Sequence, residues 1–356
     1  MENIIARLQD KIKEQELDGL IINNPSNRFY VSGFTGSAGT VLILDETACL
    51  ITDFRYTEQA GEQAPHLEVI EHGSQKSDTL AEILHKKKVK RAGFEADFET
   101  YATVEQQLRG KINEVEWVPT QNMVEDLRKI KSPDEIQSLQ KAVDLADKAL
   151  NHIQSFIQPG ITEREVSLEL EFFLRKNGAK SSSFDIIVAS GPRGSLPHGI
   201  ASEKEIKEGE LVVIDMGARL GGYASDVTRT YAVGKLDDKG REIYNAVLEA
   251  QLAATEGIKP GMTGQEADQL AREIIVGHGY GDNFGHGLGH GIGIDVHESP
   301  RLSPISTSTL EPGMAFTVEP GIYLPGWGGV RIEDIVVMEE KGVRILTGAK
   351  KELTII

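Results

Sequence analysis

The sequence predicts a two-domain protein of mixed architecture: a smaller α/β domain over residues 1–125, then a larger α+β domain over residues 126–356 built as two related halves. Three observations predict this. A chain of 356 residues exceeds what one ordinary hydrophobic core accommodates. Its first part alternates strand-like apolar runs with helical stretches. Its second part repeats itself.

The elements can be justified in order. "GLIINN", "GTVLILD", "ACLITDF", "LEVIEH" and "EVEWVP" read as strands, and "SDTLAEILHKKK" as an amphipathic helix with a solvated basic end. Near Glu125 a long helix takes over, with Ser132 placed as N-cap, Pro133 at the first helical position and Glu135 to close a capping box. Ile136, Leu139, Val143, Leu145, Ala146 and Leu150 then recur at helical spacing. Next, "QPGITEREVSLELEFFLRKNG" from Gln158 matches "KPGMTGQEADQLAREIIVGHG" from Lys259 position by position, each with a Thr N-cap and a Glu three residues on. "LPHG" around His198 aligns with "LGHG" around His290, "GELVVIDMG" with "GMAFTVEPG", and "SDVTRTYAV" with "IEDIVVMEE". Asp215 thus pairs with Glu319, and Asp226 with Glu333. A duplication of this kind predicts a pseudo-twofold fold in which each half supplies two carboxylates to a site on the axis.

Composition narrows the function. Hydrophobic residues at 39% and charged residues at 26% describe an ordinary globular protein, and no apolar run is long enough to span a bilayer. The opening "MENIIARLQDKIKEQELDG" is charged and amphipathic, without the pattern of a signal peptide, so a cytoplasmic protein with no membrane partner is expected. One cysteine, Cys49, excludes an intrachain disulfide. A formal net charge of -17 argues against nucleic acid as a partner.

Five residues carry the chemistry: Asp215 ends "LVVID", Asp226 opens "DVTRTYAV", His290 lies in "GHGLGHGIG", Glu319 in "FTVEPGIY" and Glu333 in "VRIEDIVV". Each carboxylate sits on or at the end of a predicted strand, which holds a ligand more rigidly than a loop. Hard oxygen donors with a single nitrogen suit Mn²⁺, Co²⁺ or Zn²⁺. Two divalent ions balance four carboxylates, which would otherwise repel one another and resist burial. Competing motifs fail on spacing. "GHGLGHGIG" is not G-x-G-x-x-G, "HESPR" is not H-E-x-x-H, and "TGSAG" lacks the first glycine of G-x-S-x-G.

This constellation, with "LPHG", "HESP", "VEPGIY" and "VRIED" around it, resembles the pita-bread metallopeptidases: methionine aminopeptidase, Xaa-Pro aminopeptidase and Xaa-Pro dipeptidase. "YVSGFTGSAGTVLI" and "ACLITDFRYTEQA" are similar to the creatinase/prolidase-type N-terminal domain, which methionine aminopeptidases lack. The resemblance implies a pita-bread catalytic domain and a two-metal exopeptidase, most simply Mn²⁺-dependent, acting on proline-containing peptides as a homodimer. It implies that Asp215 chelates one ion, that Asp226 and Glu333 bridge the two, and that His290 and Glu319 complete the other. Glu319 is also the implied proton carrier. His198 and His297 are implied non-ligand catalytic histidines. Arg331 and Thr228 are implied to orient the carboxylates, and Arg331, two residues before Glu333, is expected to point to the same face of the strand. Phe184, Val296 and Arg301 are implied to form the substrate pocket, with Tyr223 and Tyr323 either beside it or packed in the core.

Among functions, Xaa-Pro dipeptidase is favoured over aminopeptidase P because the chain is compact. A metal-free creatinase-like amidinohydrolase or a non-catalytic binding module of the same fold would be expected to have lost ligands, and all five are present.

Overall fold

The computed structural model describes residues 2–356 and divides into two compact units that part after Arg128. The first is a six-stranded sheet in the order Glu68–Glu71, Ala48–Thr52, Thr40–Leu44, Gly19–Ile22, Arg91–Glu95, Glu116–Thr120. Gly19–Ile22, Arg91–Glu95 and Glu116–Thr120 run parallel, and Thr40–Leu44 is antiparallel to both neighbours. The sequence reading passed over Arg91–Glu95, a short run interrupted by Gly93. Glycine is required there because a Cβ would come within 2.8 Å of Thr120 Cγ2. Leu42, Ile51, Leu84, Phe94 and Trp117 pack into this unit's core.

The second unit opens on the helix Pro133–Ile153, with the Ser132 and Glu135 capping box formed. Its repeat is visible hydrogen bond by hydrogen bond. Thr162 and Thr263 each cap a 14-residue helix, Glu163–Lys176 and Gly264–Gly277. Gly160 N–H donates to Ile206 O and Gly261 N–H to Leu310 O. Glu163 and Gly264 likewise donate to Lys204 O and Ser308 O. Each half also has its own apolar core. Leu145, Leu170, Val188, Ile214 and Tyr231 belong to one, and Val247, Ile275, Phe316, Val336 and Met338 to the other. Among the described residues no helix is long and apolar enough to cross a membrane.

Strand parity aims the functional side chains. In Leu211–Met216, Val212, Ile214 and Met216 enter the core under the first pair of helices, which turns Asp215 to the opposite face. Val227 and Tyr231 do the same for their strand, leaving Asp226, Thr228 and Thr230 on the other side. Phe316 and Val318 are in the second core, so Thr317 and Glu319 face away from it. "VRIEDIVV" is not the single strand it resembles. Gly328–Arg331 pairs with Gly321–Leu324, whereas Asp334–Glu339 pairs with Ala315–Val318, and Glu333 lies at the break between them.

Candidate metal centre

Asp226, His290 and Glu333 offer ligand atoms that all lie within 4.8 Å of one another. His290 Nε2 is 3.6 Å from Asp226 Oδ2 and 3.4 Å from Glu319 Oε1. Asp215 lies against Asp226, and its carboxylate contributes to raising the Asp226 pKa. All five residues that the sequence grouped are therefore brought together. The His290 tautomer follows from its surroundings. Nδ1 sits 3.1 Å from the Gly291 carbonyl, which only accepts, so Nδ1 carries the proton. Burial lowers the His290 pKa and keeps the ring neutral. Nε2 therefore turns a lone pair toward two carboxylates.

That arrangement is repulsive unless a cation stands among these groups. Burial first, then Glu333, Asp215 and Glu319, push Asp226 well above the usual carboxylate range. Burial, Glu319 and Asp215 do the same to Glu333, against the opposing pull of Arg331 and Thr228. Glu319 is raised by burial despite His286 and Arg331. Asp215 Oδ1 and Asp226 Oδ1 are buried with no hydrogen-bond partner, and buried carboxylate oxygens ordinarily have one. The donor set thus fits hard divalent cations in both charge and unspent acceptors.

Polar side chains fix the carboxylates from behind. Arg331 Nη2 donates to Asp215 Oδ2 at 2.6 Å and its Nε to Thr228 Oγ1 at 3.0 Å. Thr228 Oγ1 in turn donates to Glu333 Oε2 at 2.7 Å. Arg331 and Glu333 therefore meet on one hydroxyl without sharing a strand. Burial works against the Arg331 charge, but Tyr323, Asp215, Glu319 and Glu333 outweigh it and the guanidinium stays protonated. Thr317 Oγ1 accepts from His290 N–H and donates to Glu319 Oε1.

Two further side chains join this network: Tyr323, expected either beside the pocket or in the core, and His286, to which the sequence assigned no role. Arg331 Nη1 donates to Tyr323 OH at 2.9 Å, and the same hydroxyl lies 2.9 Å from His286 Nε2. His286 Nδ1 faces the Gly287 carbonyl, so Nε2 is the acceptor and Tyr323 the donor. Burial pushes the Tyr323 hydroxyl up to about 12. Tyr223 OH instead donates to Glu135 Oε1. The signal for His286 and Tyr323 lay only in contacts between distant segments.

The remaining site residues surround the cluster. The His297 ring packs 4.3 Å from that of His290, and burial, then His290, Arg301 and His198, lower its pKa. Val296 offers its backbone carbonyl to His290. Arg301 is exposed on the strand Glu298–Leu302, directly opposite His290 in register. His198 is exposed on a loop whose Pro197 carbonyl accepts from Arg331 Nη1. The loop's Gly191–Ser195 turn lies on Gly328–Arg331 because both segments have glycine at the contact: a Cβ on Gly329 would come within 2.2 Å of Gly194 O. Phe184 is half-buried, and its neighbour Ser183 donates its N–H to Gly217 O, two residues past Asp215.

Comparison with known proteins accounts for this arrangement. A family model described as "Metallopeptidase family M24" matches residues 137–340, and "Creatinase/Prolidase N-terminal domain" matches residues 4–130. The chain is 43% identical to a Xaa-Pro dipeptidase of Pyrococcus furiosus, over 99% of this chain and 100% of the relative. The solved structure of a Xaa-Pro dipeptidase from Bacillus anthracis superposes with TM-score 0.97 at 51% identity, covering 100% of this chain and 99% of that one. An X-Pro aminopeptidase from Thermotoga maritima superposes with TM-score 0.92 at 38% identity, covering 96% and 98%. The expected pita-bread fold is borne out, and the chain belongs to metallopeptidase family M24, with a creatinase/prolidase-type N-terminal domain.

Proposed function

We propose that this metallopeptidase is a Xaa-Pro dipeptidase whose two divalent ions, Mn²⁺ in the cell, are held by Asp215, Asp226, His290, Glu319 and Glu333. The observation that carries this reading is the neutral His290 Nε2 turned toward two carboxylates, beside two buried Asp oxygens with no partner. The dipeptidase sense is supported by relatives that bear that name. Asp215 would serve one ion, His290 and Glu319 the other, and Asp226 and Glu333 would be shared. When bound, the ions supply an activated water and Lewis-acid polarisation of the scissile carbonyl.

The chain's own residues do the rest. Glu319, raised by burial, takes a proton at Oε from the attacking water and returns it to the proline nitrogen as the C–N bond breaks. His198 and His297 donate N–H groups to the oxygen on which charge develops. Arg331 holds Asp215 in place through that step. Phe184 and Val296 contact the proline ring, and the exposed Arg301 takes the dipeptide carboxylate. The ring removes the amide N–H and fixes φ, so an Xaa-Pro bond rewards a dedicated pocket. We place the enzyme in the cytoplasm as a homodimer acting on proline-containing peptides.

The test is hydrolysis by metal-stripped protein, with and without Mn²⁺, of Xaa-Pro, Xaa-Pro-Yaa and Xaa-Ala. Mn²⁺-dependent cleavage confined to Xaa-Pro is expected. Cleavage extending to the tripeptide would make the protein an aminopeptidase P, and no cleavage with any divalent ion would overturn the peptidase reading.

A further inference from the structure

Glu163 is the first residue of the helix Glu163–Lys176, directly after the Thr162 cap, where side chains ordinarily face water. It is nevertheless 0% exposed. The helix start does not need it, because Glu165 closes the capping box and the matching residue of the other half is Gly264. The carboxylate is spent elsewhere. Oε1 accepts from Ser190 N–H and Oγ, both at 2.8 Å. Oε2 accepts from Arg193 Nε at 2.9 Å, Ser202 N–H at 3.2 Å and Ser202 Oγ at 2.7 Å.

Ser190 and Ser202 bracket the segment that carries His198. One buried carboxylate therefore closes both ends of that loop. Arg193 tightens it further by donating from Nη2 to Ile200 O at 2.6 Å, and Arg331 ties its tip at Pro197 O. Because the His198 side chain is exposed, its place is set by this backbone. Five hydrogen bonds to a charged acceptor are individually stronger than neutral ones, and they converge where water is excluded.

We propose that Glu163 is a positioning residue for His198, its buried carboxylate closing the 190–202 loop so that the imidazole meets the substrate at a fixed place. The proposal rests on the reading that His198 contacts the scissile group. A small displacement of such a group costs on the order of 10- to 100-fold in rate. Glutamine keeps the shape of Glu163 but offers one acceptor oxygen in place of two.

The experiment is a double-mutant cycle on the Mn²⁺-loaded protein with an Xaa-Pro dipeptide, measuring kcat, KM and bound metal for Glu163→Gln, His198→Ala and the pair. Glu163→Gln is expected to lower kcat by about 10-fold or more, with KM nearly unchanged and metal content equal to the parent. In the His198→Ala background it should add less than about a twofold loss. Losses that multiply would overturn the proposal while leaving the role of His198 intact. Wild-type turnover in His198→Ala alone would overturn that role and the proposal with it. Ser202→Ala, which removes one donor and leaves the carboxylate, serves the same cycle if Glu163→Gln does not fold. An independent readout is the His198 ring signal in a ¹³C-histidine spectrum, assigned by its absence from His198→Ala. It should shift or broaden in Glu163→Gln, and an unmoved signal would count against the proposal.

Discussion

At the scale of single residues, the site depends on direction as much as charge. Arg331 spends its fork on Asp215, Thr228, Tyr323 and the Pro197 carbonyl at once. Lysine keeps the charge but has no planar fork to divide among four acceptors. Arg331→Lys should therefore lower metal affinity or kcat/KM by roughly 10- to 100-fold, measured by Mn²⁺ titration and steady-state rates. An unchanged variant would mean that a point charge suffices. Arg301 makes a different prediction, because it is exposed and lies opposite His290. If its partner is the substrate carboxylate, Arg301→Ala should raise KM for Xaa-Pro by about 10-fold or more with kcat nearly unchanged, and an unchanged KM would reject that partner. The five candidate ligand positions were legible because each carboxylate lies on or at the end of a strand-like run and His290 lies in a glycine-rich motif. Tyr323 and His286 were not legible in that way. Their bonds join residues 37 positions apart, and each looks locally like a packed aromatic or a loop histidine.

At the scale of elements, glycine decides how closely the strands that carry the carboxylates approach. A Cβ on Gly217 would lie 1.8 Å from the carbonyl oxygen of Ser225, the residue before Asp226. Gly217→Ala must therefore push apart the segments that hold Asp215 and Asp226. We expect a loss of about 1–3 kcal/mol of stability together with weaker metal binding, read by denaturant unfolding and Mn²⁺ titration. Metal binding untouched in a destabilised variant would show that the two carboxylates are not coupled through this contact. Most elements were legible because their caps and periodicities agree, as at Ser132, Thr162 and Thr263. The break at Glu333 was not read, although the alternation of "VRIEDIVV" lapses there, where Asp334 follows Glu333 directly. Register explains what alternation could not. Asp215 faces Thr228 across its strand pair, whereas Val318 faces Asp334 in the related pair, so the aligned carboxylates do not occupy equivalent ladder positions.

At the scale of the whole catalytic unit, two halves with separate cores are joined through polar groups, so folding and metal binding share residues. Arg229, 1% exposed, reaches from the first half to Asp334 at 2.7 Å and to the Glu333 and Ala349 carbonyls. Removing Arg229 takes the guanidinium from Asp334 Oδ1 and leaves Lys351 and Gln251 on Oδ2, so Arg229→Met should cost about 3 kcal/mol in unfolding experiments on metal-free protein. The carboxylates themselves work in the opposite sense. Asp226 and Glu333 have folded-state pKa values raised above those of the unfolded chain, chiefly by burial, then by Glu333 for Asp226 and by Glu319 for Glu333. In metal-free protein their contribution to stability is fully present below the unfolded value near about pH 4 and is lost as pH rises through the raised folded values. Divalent ions compete with those protons, so their affinity rises over the same window. A saturating ion stabilises by mass action, about 2.7 kcal/mol at a hundred times its Kd. The gap in Tm between Mn²⁺-loaded and metal-stripped protein should therefore widen as pH rises from about 4 through the raised folded-state values of Asp226 and Glu333. Taking the difference cancels titrations that both forms share. A gap that stays constant or narrows would mean that the buried carboxylates are not the groups on which the metal binds.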